Sequence, residues 1–354
     1  MAEGRKPKPP TLTDVAKLAG VSIPTASRAL NGGVRGSNSG SEELRERVRD
    51  AARQLGYSVS PAAQAVKGGR ARTLALVVSD IDDFGSATMI AGVMHAAESR
   101  GISVAVRATG DDAEREQGLL RALRGERHRG VIFATSRTTD AARERAMDES
   151  LRDLHDQGAR VVVIGDSDLP YPRVVVDNED AAFALARGLV AAGHRSFSVV
   201  AGPDDQITSR DRVAGFLRGL AADGIAADSV RVVHADFSRD GGYESVARLG
   251  ETPEAVDVIA AMSDAMAVGV IAGLRDRGVA ADAMPEVSGF DHVPMLGDVL
   301  PFFSTVEVPL EKFGEAALSL IFDAAAPAAT DDPPAVRLRA RPIVRGVALD
   351  LDLD

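Results

Sequence analysis

Cysteine is absent from the 354 residues. Its absence excludes disulfides, thiol nucleophiles and Cys-based zinc sites, and fits a reducing compartment. No apolar run approaches the ~18–20 residues that a membrane helix requires. The opening residues, MAEGRKPKPP, carry charge and proline but no apolar stretch, so no secretory signal is expected there. The motifs G-x-S-x-G, H-E-x-x-H and G-x-x-x-x-G-K-[ST] are missing. The 6 histidines are scattered without metal-ligand spacing. His194 falls at a helix-to-strand corner and is expected to be structural. No catalytic residue, metal or cofactor is expected, and the chain does not read as an enzyme.

What is present is a balance of 45% apolar and 26% charged residues, the mix of a soluble globular protein. The length suits two or three domains. The net charge of −11 is unevenly spread: residues 1–72 hold 13 Lys and Arg against 6 Asp and Glu, net +7, which leaves −18 for residues 73–354. A basic head on an acidic body suits a nucleic-acid-binding module attached to a domain that does not touch the polyanion. A mixed, solvated surface is the plainer alternative.

Residues 1–10 are expected to form a disordered basic arm, and residues 11–58 a helical domain. Thr11 is a good helix N-cap, and Asp14 completes a capping box. Leu12, Val15, Ala16 and Ala19 repeat at helical spacing. Gly20 supplies a left-handed stop. Ser22 caps a second helix, and Pro24 falls in its first turn, where a missing N–H is tolerated. Since Pro24 cannot donate, Ser22 is expected to accept from Thr25. Ala26, Ala29 and Leu30 face inward, leaving Ile23, Pro24, Thr25, Ser27 and Arg28 near the outer face. A third helix begins at Ser41 and ends at Gly56-Tyr57. Its Arg45, Arg47, Arg49 and Arg53 are either phosphate contacts or an exposed face.

Two short helices joined by a tight turn have the layout of a helix-turn-helix. The run D-V-A-x-L-A-G-V-S-x-x-T-x-S-R-x-L-N, followed by S-E-E-x-R-x-R-V and L-G-Y, resembles the DNA-binding head of the lactose/galactose repressor (LacI/GalR) family. The resemblance implies that Ile23, Pro24 and Arg28 face base edges, with Arg28 a bidentate reader of guanine. Thr11, Ser22, Thr25, Ser27 and Asn31 become phosphate contacts or caps. Residues 59–72 resemble the family's hinge, which pushes an apolar side chain into the minor groove. Ala63, Val66 and Lys67 are its expected DNA contacts, with Val66 in the wedge position and Arg70 and Arg72 beside it. Two departures stand out: a long Gly- and Ser-rich loop from Asn31 to Ser41, and Val66 where the family places leucine.

From Thr73 onward, short apolar runs alternate with helical stretches of 10–15 residues. TLALVVSD, ISVAVRA, GVIFATS, ARVVVIGD and RVVVDN read as strands, and a second series follows in SFSVVAGP, SVRVVHADF, AVDVIAAM and EVSGFD. Alternation of this kind implies parallel sheets with right-handed crossovers. Two series imply two α/β lobes with a ligand cleft at the carboxyl ends of the strands. The order of pieces resembles the family's effector domain, itself similar to periplasmic sugar-binding proteins. It implies one lobe at about 73–175 and 304–328, and another at about 176–303 and 329–354.

The resemblance implies a cleft containing Asp83, Ser86, Arg212, Phe237, Ser263, Asp264 and Asp291. Arg212 and Asp291 would bind neighbouring hydroxyls of a sugar-like ligand, and Phe237 would stack on its apolar face. Here too the sequence departs from the pattern: Asp83-Phe84-Gly85-Ser86 replaces an Asn-Pro-aromatic element, and Ser263, His292 and Val308 replace Asn, Asp and Gln. An acidic first lobe points to an amine-bearing or unusual ligand, or to none. The acidic pairs Asp82/Asp83, Asp111/Asp112 and Asp204/Asp205 are expected to be solvated loops.

The fold class expected is therefore a helix-turn-helix head on a two-lobed, periplasmic-binding-protein-like α/β body. The function expected is a cytoplasmic, sequence-specific transcription regulator, a repressor in the leading reading. It would bind a pseudo-palindromic operator in double-stranded DNA as a homodimer and respond to a sugar, polyol or nucleoside, without membrane association. No leucine heptad follows the last strand, so a dimer is expected rather than a coiled-coil tetramer. Two alternatives stay open: the same regulator without a small-molecule effector, and a solute-binding protein.

Overall fold

The computed structural model describes residues 10–30, 41–57, 73–323 and 333–349. The chain divides into two units, Met1–Arg72 and Thr73–Asp354.

The first unit holds helices α1 (Leu12–Leu18), α2 (Ile23–Leu30) and α3 (Glu42–Leu55). The Thr11 hydroxyl accepts from the Asp14 N–H at 3.3 Å, and the Thr11 N–H donates to the Asp14 carboxylate at 2.8 Å. Such a cap stabilises a short helix by about 1 kcal/mol. Gly20 turns the chain at φ 63°. Ser22 accepts from the Thr25 N–H at 3.2 Å, as the missing Pro24 donor requires. Val15, Ala16, Ala19, Ala26, Ala29, Val48, Ala51 and Ala52 form the core. Mostly small side chains let three short helices pack closely.

The second unit runs β1 (Thr73–Val78), α4 (Phe84–Glu98), β2 (Ser103–Ala108), α5 (Ala113–Glu126), β3 (Gly130–Ala134), α6 (Ala141–Asp156), β4 (Arg160–Ile164) and β5 (Arg173–Val176). It continues with α7 (Asn178–Ala191), β6 (Phe197–Ala201), α8 (Ile207–Ala222), β7 (Arg231–His234), α9 (Arg239–Ser245), β8 (Val258–Ala261), α10 (Asp264–Asp276), β9 (Glu286–Ser288) and α11 (Pro294–Val299). It closes with β10 (Thr305–Glu307), α12 (Lys312–Phe322), β11 (Ala335–Leu338), β12 (Arg341–Val344) and β13 (Val347–Ala348).

One lobe is a parallel six-stranded sheet, order β11-β5-β4-β3-β1-β2. Its strands alternate between two cores. Leu74, Leu76 and Val78 face α4 and α12, whereas Ala75 and Val77 face Leu120 and Leu123 of α5 and Met147, Leu151 and Leu154 of α6. The other lobe is a parallel four-stranded sheet, order β7-β6-β8-β9. Val199 and Ala260 point toward α7 and α8, and Val200 and Ile259 toward α10. With helices on both faces, the strands read as continuous apolar runs, as buried parallel strands must.

The lobe boundaries differ from those expected. Strand β10 joins a three-stranded antiparallel sheet with β12 and β13, and its neighbours Ser304 and Thr305 bond Glu286 and Asp264 of the second lobe. Residues 304–307 therefore belong with the second lobe rather than the first. Conversely, β11 pairs in parallel with β5 and completes the first lobe, although 329–354 were assigned to the second. It covers what would otherwise be an open sheet edge. A four-residue alternating run carries no signal of which sheet it joins.

Candidate functional site

In the head, α2 presents Ile23, Pro24 and Arg28 outward; Ile23 is 44% exposed, and Arg28 has no protein partner among the described residues. Thr25 is half-buried, and its hydroxyl is 2.8 Å from that of Ser22. Ser27 is a correction: it is buried rather than outward. It lies next to Ala26 and one turn from half-buried Leu30, on the edge of the packed face. On α3, Arg45 and Arg49 pair with Glu42, and Arg53 with Asp50, leaving Arg47 exposed and without an ion pair among the described residues. Asn31, Ala63, Val66 and Lys67, together with the hinge, lie outside the described residues.

In the body, a cavity of about 690 Å³ opens where the strands of both sheets end at their carboxyl termini. Asp80, Gly110, Asp111, Ser136 and Gly165 come from the loops after β1–β4, and Asp205, Asp236 and Asp291 from the loops after β6, β7 and β9. The two lobes touch at its rim. The Thr139 N–H donates to the Asp205 carbonyl at 2.7 Å, and the Ile207 N–H to the Arg137 carbonyl at 2.9 Å. The Thr138 hydroxyl donates to the Asp205 carboxylate at 3.2 Å.

Arg212, on α8, is the polar centre of the cavity. Its Nε donates to Asn178 Oδ1 at 2.9 Å, Nη1 to the Met262 carbonyl at 2.6 Å, and Nη2 to Asp291 Oδ1 at 3.3 Å. The guanidinium sits 3.7 Å above the Phe290 ring and 5.7 Å from Phe237. Burial pushes its pKa down from the ordinary arginine value, while Asp291 opposes the shift. Asp291 takes φ 118°, a conformation rarely seen outside glycine, and is held there by its N–H bond to the Val306 carbonyl at 2.9 Å. Burial also raises the Asp291 carboxyl well above the ordinary carboxylate range; Arg212 lowers it, and Asp264 and Asp83 raise it. Backbone strain of this kind concentrates at functional sites.

Asp83, Ser86, Arg212, Phe237 and Asp291 are thus brought together around one cavity. Ser263 and Asp264 are not. Ser263 caps α10, accepting from the Met266 N–H at 3.1 Å. Asp264 is fully buried, accepting from the Val293 N–H at 2.7 Å and the Thr305 hydroxyl at 2.8 Å. Ser263 is spent on capping α10, and Asp264 on joining α10 to the segments after β9. The acidic pairs lie in loops as expected, with Asp82, Asp112, Asp204 and Asp205 exposed, but Asp83, Asp111 and Asp205, one from each pair, also line the cavity. Their position directly after a strand, as for Asp111 and Asp205, was the available signal. His194 lies 2.8 Å from Glu286 and 3.0 Å from Arg345, away from the cavity. A second cavity of about 730 Å³ lies behind Asp291, but its Glu307 and Arg341 are paired with each other at 2.9 Å. Among the described residues no cluster fit to hold a metal occurs, and no helix is long and apolar enough to cross a membrane.

Residues 11–60 match the family described as bacterial regulatory proteins, lacI family, and residues 71–333 match periplasmic binding proteins and sugar binding domain of LacI family. The chain belongs to the LacI family. Among LacI-family relatives, the transcriptional regulator CelR of Thermobifida fusca is 30% identical over 89% of this chain and 91% of its own. Catabolite control protein A of Priestia megaterium is 28% identical over 88% and 91%. A solved CelR–cellobiose complex has TM-score 0.64 at 27% identity, covering 96% of this chain and all but 1% of its own, since 99% is matched. The Lac repressor bound to ONPG has TM-score 0.77 at 23% identity, covering 96% and 100%, a likeness of fold. The matched ranges contain both the outward face of α2 and the acidic cavity.

Proposed function

We propose that this LacI-family chain is a sequence-specific transcription repressor, binding its operator as a homodimer under the control of a small polyhydroxylated ligand. The observation that carries the reading is the pairing, in one chain, of a capped helix-turn-helix whose Arg28 has no protein partner among the described residues with a polar cavity between the lobes centred on Arg212. Arg28, with its planar fork, suits guanine, and Ile23 and Pro24 suit a thymine methyl. The ligand alters operator affinity only if it binds the DNA-competent and DNA-incompetent forms of the body unequally. The direct lobe contact at Thr138, Thr139 and Asp205 is the element whose making or breaking such a ligand would bias.

The dimer is supported by an apolar patch beside α11. Met295, Val299 and Phe302 are 53%, 64% and 76% exposed, and Val347 is 62% exposed. A second copy of this face would cover it, and two heads would then meet two operator half-sites. We place the protein in the cytoplasm, with its operator, and assign it no catalytic step.

A thermal-shift screen of the full chain against neutral sugars, polyols, nucleosides and their aminated forms tests the ligand reading. The expected result is a stabilising compound that changes operator binding and whose effect is lost in Arg212→Ala. A chain that binds operator but responds to no small molecule would favour control by a protein partner instead.

A further inference from the structure

The charge lining the cavity does not balance. Asp80, Asp83, Asp111, Asp205, Asp236 and Asp291 face two arginines, and both arginines are already paired. Arg212 pairs with Asp291 at 3.3 Å, and Arg143 with buried Glu116 at 3.2 Å. Asp111 is held at the wall in left-handed backbone, φ 54°, and its buried Oδ1 has no hydrogen-bond partner. A buried acceptor without a donor is costly, and it adds to the unbalanced negative charge at this wall.

Two carboxylates converge from opposite lobes. Asp83 caps α4 in the first lobe, its Oδ2 accepting from the Ser86 N–H at 2.9 Å. Asp291 follows β9 in the second. A Cβ on Gly85 would lie 3.2 Å from Asp83 Oδ2 and 3.5 Å from Asp291 Oδ2. The two carboxylates thus flank the Cα of Gly85 from opposite lobes. Arg212 alone does not hold the Asp291 carboxyl in the ordinary carboxylate range. A hydroxyl brings a donor to this space but no charge, whereas an ammonium brings both.

We propose that the effector is an amine-bearing sugar or aminopolyol, its ammonium held between Asp83 and Asp291 over Gly85. Phe237 packs closely against Gly202, where a Cβ would meet its ring at 1.9 Å, and lines the cavity as an apolar surface for the ligand's carbon skeleton. The negative lining draws such a cation in and repels phosphorylated or carboxylated sugars. This inference rests on the cavity being the effector site.

Isothermal titration of the full chain with matched pairs tests it: glucosamine against glucose, galactosamine against galactose, mannosamine against mannose. The aminated member of at least one pair is expected to bind roughly tenfold tighter, a preference that weakens as salt is added. Asp83→Asn keeps an N-capping side chain but removes the charge, so it should abolish the preference for the aminated member while the fold melts as the wild type does. Equal or tighter binding of the neutral members, an amine preference untouched by Asp83→Asn, or no binding of any aminated member would overturn the proposal. Those results leave the broader reading in place if a neutral or anionic compound still shifts operator binding. If no compound does, the effector reading falls as well.

Discussion

Arg212 Nη2 lies 3.3 Å from Asp291 Oδ1, and this pair ties α8 to the strained segment after β9. The arginine's other bonds, to Asn178 and Met262, reach the lobe crossover and the end of β8. A ligand that engages either member therefore acts on the segments that join the lobes.

Burial of Asp291, opposed by Arg212, makes the body's stability depend on pH in a specific direction. The folded Asp291 carboxyl is raised above its unfolded value, so the fold binds this proton more tightly than the unfolded chain does. Its contribution to stability is then most favourable below the ordinary carboxylate range, about pH 4, and is lost as pH rises through the raised value. Melting of the ligand-free chain should show wild type gaining on Asp291→Asn as pH falls from alkaline toward acid. A constant difference across that range would contradict the assignment. A cationic ligand needs the ionised carboxylate, so its affinity should decline over the same fall in pH.

Asp264 is expected to act on the fold, since it is buried and outside the cavity lining. Asp264→Ala removes the acceptor for the Val293 N–H and the Thr305 hydroxyl, both buried. The expected loss is about 2–4 kcal/mol, read by denaturant unfolding. A stable Asp264→Ala variant that has lost only ligand binding would return Asp264 to the site.

For the head, Arg28→Ala should cost about 1–3 kcal/mol of operator binding and relax base preference at one position per half-site. Competition binding with single-base operator variants separates the two effects. Uniform weakening on every sequence would make Arg28 a phosphate contact.

Phe302→Asp puts a charge in the centre of the exposed apolar patch. Light scattering should show a shift from dimer to monomer, with operator affinity falling steeply because one head then binds alone. An unchanged dimer would move the interface elsewhere.

Much of this was legible in the residues because local rules governed it. The Thr11 and Ser22 caps, the Gly20 turn and the alternation of strand and helix follow from side-chain chemistry and periodicity alone. Arg212 and Asp291 were found through family motifs. What escaped was decided by long-range packing. Strand β11 chooses its sheet by covering an edge left by β5. Asp264 stands in the expected motif but is used up by neighbours distant in sequence, Val293 and Thr305. Asp111 and Asp205 looked like loop acids because nothing local says that the ends of two sheets converge on them.

The most direct test of the account is selection of bound duplexes from a random-sequence library by the full chain. It predicts enrichment of one pseudo-palindromic site with two equivalent half-sites, each with a guanine whose selection is lost in Arg28→Ala. Recovery of no common site, with DNA affinity the same for every sequence, would contradict it.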